Sequence, residues 1–118
     1  SLGLGVEPYS QEFYEKNNWY KKQLEIFIHS IGKTIKNVSE FHFSCSNFGS
    51  AQEAILLEAS KFKDYNVTIA PMNTKVSTVA AASAAIENES LKLCYVEPME
   101  YNKEFYSTPS DTLTLIEI

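Results

Sequence analysis

Twice in succession this chain writes a short β-branched or aromatic run, then a small polar loop, then an alanine-rich helix. The first unit is Phe41-His42-Phe43-Ser44-Cys45, the loop Ser46-Asn47-Phe48-Gly49-Ser50, and a helix over about 50–63. The second is Tyr65-Asn66-Val67-Thr68-Ile69-Ala70, the loop Pro71-Met72-Asn73-Thr74-Lys75, and a helix over about 74–88. Tandem strand–loop–helix units build parallel α/β sheets, because each crossover returns the chain to the side it left, so the strand ends share one edge. Ligands of such sheets lie in the crevice beyond those carboxyl ends. The pattern locates a ligand before it says which ligand.

Around these units the reading is coarser. Residues 1–9 read as a loop. A long helix is predicted from Ser10 to Ile35, with Tyr20, Leu24, Phe27, Ile28, Ile31 and Ile35 as its inward apolar stripe at three- and four-residue spacing. Ser10 suits the N-cap, and Glu12 and Glu15 suit the positive end of the dipole. The helix over 50–63 spreads Ala51, Ala54, Ile55, Glu58 and Phe62 between a packing and a wet face. In the helix over 74–88, Val76, Val79, Ala80, Ser83, Ala84 and Ile86 form the inner face.

Strands are predicted at 39–45, 65–70, 91–96 and 112–118; Glu97-Pro98 ends the third, because proline gives no ladder donor. The order α-β-α-β-α-β-β predicts one α/β domain over 1–118. It would be a Rossmann-like three-layer sandwich, with a small, mainly parallel sheet of about four strands and a long N-terminal helix. A chain of 118 residues has room for one core. A strand ahead of residue 1 would complete so small a sheet, so a homodimer or the C-terminal part of a longer protein is expected.

Charge narrows the ligand. The net charge of −5 and pI near 5.0 argue against a general nucleic-acid surface, which needs clustered basic residues. All 10 basic residues are lysines. Bidentate arginine clamps are therefore absent, and an anion must be held by backbone N–H groups, hydroxyls, amides or a lysine. No apolar run approaches the roughly 20 residues of a membrane span. Cys45 and Cys94 are expected to be reduced thiols of a cytoplasmic protein.

Candidate ligand residues gather at three loops. Ser46, Asn47, Gly49 and Ser50 form the first, Gly49 for close backbone approach and Ser50 as helix cap. It is neither a Walker loop nor a dinucleotide fingerprint, since it lacks the Lys-Ser/Thr pair and has one glycine. Asn73, Thr74 and Lys75 form the second. Thr74 suits the cap, and Lys75 is the sole charge between Asp64 and Glu87. An ammonium at a helix N-terminus opposes the dipole, and an anion between the two would relieve that. Glu97, Tyr101, Asn102 and Tyr106 flank the same edge from the third loop.

Cys45 is an alternative catalytic residue: a thiol before a small-residue loop and a helix start has the layout of phosphate-accepting cysteines. Thiol phosphatases place an arginine in that loop, and this chain has none. His29 and His42 have no cysteine or carboxylate at ligand spacing, so no metal site or cofactor is assigned. Trp19-Tyr20, with Phe13 and Tyr14, makes an aromatic cluster that serves as core or as an interface.

Val67–Ala70, Asn73-Thr74-Lys75, Val76–Ile86 and Lys92–Val96 together resemble the CARF (CRISPR-associated Rossmann fold) sensor domains over about a quarter of the chain. The resemblance implies a dimer that binds a cyclic oligonucleotide over the strand ends. It would place Thr74 and Lys75 on ligand phosphate or ribose, with 46–50 as the opposite wall. The expected function is non-catalytic binding or sensing of a nucleotide or other phosphorylated small ligand. The alternatives are phosphoryl transfer through Cys45 and a structural or dimerisation module built on the first helix.

Overall fold

The computed structural model describes residues 1–6, 11–31, 39–95, 97, 113, 115 and 116. Residues 2–6, expected as loop, form the first strand, β1 (Leu2–Val6). It pairs in parallel with β2 (Glu40–Ser44), Gly3 beside Phe41 and Gly5 beside Phe43. Glycine is a poor strand former, which hid β1 in the Leu-Gly-Leu-Gly-Val pattern. The rings of Phe41 and Phe43 fill the space that a side chain at 3 would take, and Cys45 and Asn73 fill that at 5. A Cβ on Gly3 would lie 2.9 Å from the Phe41 ring and 3.2 Å from Phe43. The strand that precedes the long helix is β1 itself.

Between these strands runs α1 (Gln11–Ile31), followed by α2 (Phe48–Ser60), β3 (Val67–Ile69), α3 (Lys75–Glu87) and β4 (Leu91–Leu93). β3 and β4 pair in parallel. The four strands make two parallel pairs, β1–β2 and β3–β4, in place of one continuous sheet. The α/β character and the parallel pairing of the expected units stand. The final strand expected at 112–118 lies largely outside the described residues.

Alternation along β2 sends Phe41 toward a buried cluster of Ile55 and Ala59 from α2, Ala81 and Ala84 from α3, and Leu91 from β4. Glu40 points the other way, to α1, where its carboxylate accepts from the Lys21 ammonium at 3.0 Å. Helices thus meet the strands from both faces. The α2–α3 contact is made of very small residues: Ala51, Ala80 and Ala84 are wholly buried and Ala81 nearly so. Among the described residues no large side chain is fully buried. Close backbone approach, not bulk, holds the two helices together.

The predicted faces hold in part. In α3, Val76, Ala80 and Ala84 of the expected inner face are buried and Val79 and Ser83 half-buried, Ser77 and Ala81 join them, and Ile86 is exposed. In α2, Glu58 is buried on the packing side with Ile55 and Ala59. Its carboxylate takes hydrogen bonds from the Lys61 ammonium and the Ser1 hydroxyl, so the buried charge is compensated. In α1, Asn17, Lys21 and Ile28 are the half-buried row, while Tyr20, Leu24, Phe27 and Ile31 stay exposed. On the docked side the Lys21 ammonium pairs with Glu40 at 3.0 Å.

Glu58 makes the fold acid-sensitive. The Lys61 hydrogen bond, then that from Ser1, holds its carboxyl below the ordinary value of 4.5, against burial, which acts in the opposite sense. A group depressed in the folded state stabilises the fold above its unfolded value and loses that contribution as pH falls through the folded one. Thermal stability should therefore fall progressively below pH 4.5. Glu58→Gln should start less stable at neutral pH and show a shallower acid decline in the same melting series.

Candidate functional site

The loops after β2 and β3 meet at one rim. The Thr74 hydroxyl donates to the Cys45 carbonyl at 2.8 Å, and the Cys45 thiol donates to Asn73 Oδ1 at 3.4 Å. β1 ends there too, since the Cys45 N–H donates to the Val6 carbonyl at 3.0 Å. β4 reaches the same side, its following Cys94 N–H donating to the Ile69 carbonyl at 2.8 Å. Parallel pairing brings these carboxyl ends together, as the tandem units required.

Local capping sets the loop shapes. Asn47, not Ser50, caps α2: its side-chain oxygen accepts from the Ser50 N–H at 2.9 Å while its backbone is extended. The Ser44 hydroxyl accepts from the N–H groups of Ser46 and Asn47 and turns the chain out of β2. Because the helix begins at Phe48, Gly49 lies in its first turn and not in a loop, and its φ is not positive. A Cβ there would meet only Asn47 Oδ1, at 3.7 Å. Gly49→Ala is therefore expected to stabilise the fold by roughly 0.5–1 kcal/mol, read as a higher urea midpoint.

Thr74 caps α3 as expected, accepting from the Ser77 N–H at 3.3 Å. Its hydroxyl is committed twice, to Ser77 and to the Cys45 carbonyl. Both bonds are internal to the protein. Asn73 Oδ1 likewise accepts from the Thr74 N–H at 2.8 Å as well as from Cys45. Lys75 is exposed at the first position of α3 and forms no ion pair with a described residue.

What remains open at the rim is backbone. Caps satisfy the third N–H of each helix, and the first two of each, on Phe48, Gly49, Lys75 and Val76, take no partner among the described residues. These donors, two dipole ends and the Lys75 ammonium make the rim electropositive in a chain of net charge −5.

Cys45 is 2% exposed, with its thiol proton on Asn73. It joins the two junctions and offers no open face to a phosphate. Gly5 of β1 is the feature that sequence reasoning missed. A Cβ on it would collide with Cys45 Sγ and lie 2.9 Å from Asn73 Nδ2. The alternating glycines of 2–6 were the available signal. Ser46 is exposed at the rim, and Glu97 is exposed beyond β4. Tyr101, Asn102 and Tyr106 lie outside the described residues, as does Phe13's side chain in the aromatic cluster.

Among the described residues no helix is long and apolar enough to cross a membrane, and no group of three metal-ligating side chains converges. No protein-family model, curated protein or solved structure matches this chain.

Proposed function

We propose that this chain is a Rossmann-like α/β domain that binds a nucleotide or another phosphorylated small molecule at the rim shared by the loops after β2 and β3. The observation that carries the reading is the Thr74–Cys45 hydrogen bond, which holds two helix starts side by side. Open N–H groups of both helices then face one region of space, where a phosphate group satisfies several at once. With no arginine in the chain, recognition rests on these amides and on Lys75.

In this reading the two strand pairs are halves of one sheet in the order β2-β1-β3-β4, with α1 on one face and α2 and α3 on the other. Gly5 supports that order, because it lies against Asn73 of the loop after β3. The rim is then the point where strand order reverses, the usual ligand position of open α/β sheets. The resemblance to CARF sensors makes cyclic oligoadenylates the first probes, and β1 supplies a strand ahead of the leading helix.

Isothermal titration of mononucleotides, cyclic dinucleotides and cyclic oligoadenylates tests the proposal. Binding that weakens at least about tenfold in Lys75→Glu and with rising salt is expected, since a phosphate contact contributes through charge. Absence of heat with every probe defeats it, as does binding that is indifferent to Lys75.

A further inference from the structure

We propose that the Asn73 carboxamide donates to a phosphate oxygen at this rim, and that Cys45 is the positioning residue that aims it. The inference rests on the proposed function and adds to it a neutral donor set between the two helix starts.

The orientation of the carboxamide follows from its partners. Asn73 Oδ1 accepts from the Thr74 N–H at 2.8 Å and from the Cys45 thiol at 3.4 Å. A backbone N–H only donates, so the amide atom facing it is the oxygen and not the nitrogen. The thiol must then donate as well, because a carboxamide oxygen has no proton to give. The terminal torsion of asparagine is soft, so one bond alone leaves the amide free to pivot. The second bond, from Cys45, stops the pivot. Nδ2 keeps both hydrogens and takes no partner among the described residues, and Asn73 is exposed.

Nδ2 also stands in the right place. A Cβ on Gly5 would lie 2.9 Å from Nδ2 and would collide with Cys45 Sγ. The amide therefore sits over the end of β1, between the junction after β2 and the junction after β3. The open N–H groups of α2 begin at Phe48 and those of α3 at Lys75. Both helix starts favour negative charge, and Nδ2 adds a donor between them. The group that suits it is an acceptor without a hydrogen of its own, as a phosphate oxygen is. A reversed amide would turn Oδ1 toward that oxygen and repel it, so affinity depends on the bond from Cys45.

Isotope-labelled protein titrated with mononucleotides, cyclic dinucleotides and cyclic oligoadenylates reads the contact by nuclear magnetic resonance. The side-chain N–H pair of Asn73 should shift with the same saturation curve as the heat of binding. Cys45→Ala should weaken binding about tenfold, the effect of one hydrogen bond to a charged group. The factor should be the same at low and high salt, since the lost donor is neutral, whereas a general collapse of the rim would displace Lys75 and change the salt dependence. Cys45→Ser restores a donor and should recover most of the affinity. Asn73→Asp keeps both acceptor bonds, and so the fold, but sets a carboxylate against the phosphate. It should lose binding by at least about 100-fold. Should Cys45→Ala fail to fold, Asn73→Asp and the wild-type amide shift decide. A probe that binds while the Asn73 pair stays still overturns this inference alone, as does Cys45→Ser behaving like Cys45→Ala. Failure of every probe to bind the wild-type chain overturns the proposed function and this inference together.

Discussion

Ala84→Leu is expected to destabilise the domain by about 2–3 kcal/mol, enough to bring a small fold near its unfolding threshold. Ala84 is wholly buried at the α2–α3 contact, alongside Ala81 and opposite Ile55 and Ala59. Three added carbons have no cavity to enter, so α3 must lift from α2 or from the Phe41 ring. Urea unfolding followed by circular dichroism reads the loss. Ile86→Ala is the control: two residues along the same helix its side chain is 74% exposed, and the change should stay within about 0.5 kcal/mol. Comparable losses from both would mean that the α3 face is assigned wrongly.

The second large effect is at Gly5. Adding a methyl group there strikes Cys45 Sγ and crowds the Asn73 amide, and Cys45 is buried with little room to retreat. Gly5→Ala should cost about 2 kcal/mol and, by forcing Cys45 and Asn73 apart, should weaken the proposed nucleotide binding at least about tenfold. A double-mutant cycle separates this from ordinary strand propensity. In a Cys45→Ala background the sulfur is gone, and Gly5→Ala should then cost less than about 1 kcal/mol. If the penalty is the same in both backgrounds, the collision is not its cause.

How much of this was legible beforehand follows from the kind of signal each element carries. β2, α2, β3, α3 and β4 were readable because β-branched and aromatic runs gave way to alanine-rich ones at regular spacing. Their ends came out within a few residues. β1 was not readable, because its strand character comes from pairing with β2 and from side chains of other elements packed over its glycines, a tertiary effect outside its own five residues. The orientation of α1 was misread for a similar reason. Its apolar stripe is plain in the sequence, yet the row that docks is Asn17, Lys21 and Ile28, with Lys21 paired to Glu40.

For the site, the meeting of the two junctions was legible from topology alone. The division of labour within it was not. Asn47 outcompetes Ser50 for the cap of α2 because it stands one residue before the first helical position, at Phe48. Thr74 and Asn73 spend their polar atoms on each other's surroundings, which only packing reveals. The electropositive rim is consequently made of main chain more than of side chains.

A domain whose described interior is chiefly alanine buries little hydrocarbon per residue there. Its unfolding should absorb heat over a broad temperature range, with a low heat-capacity increment and a gentle denaturant slope. Against so modest a reserve, an occupied rim weighs heavily: a ligand at a hundred times its dissociation constant adds about 2.7 kcal/mol. Melting temperature thus becomes a sensitive gauge of occupancy, and the chain can serve as its own detector when chemical libraries are screened against it.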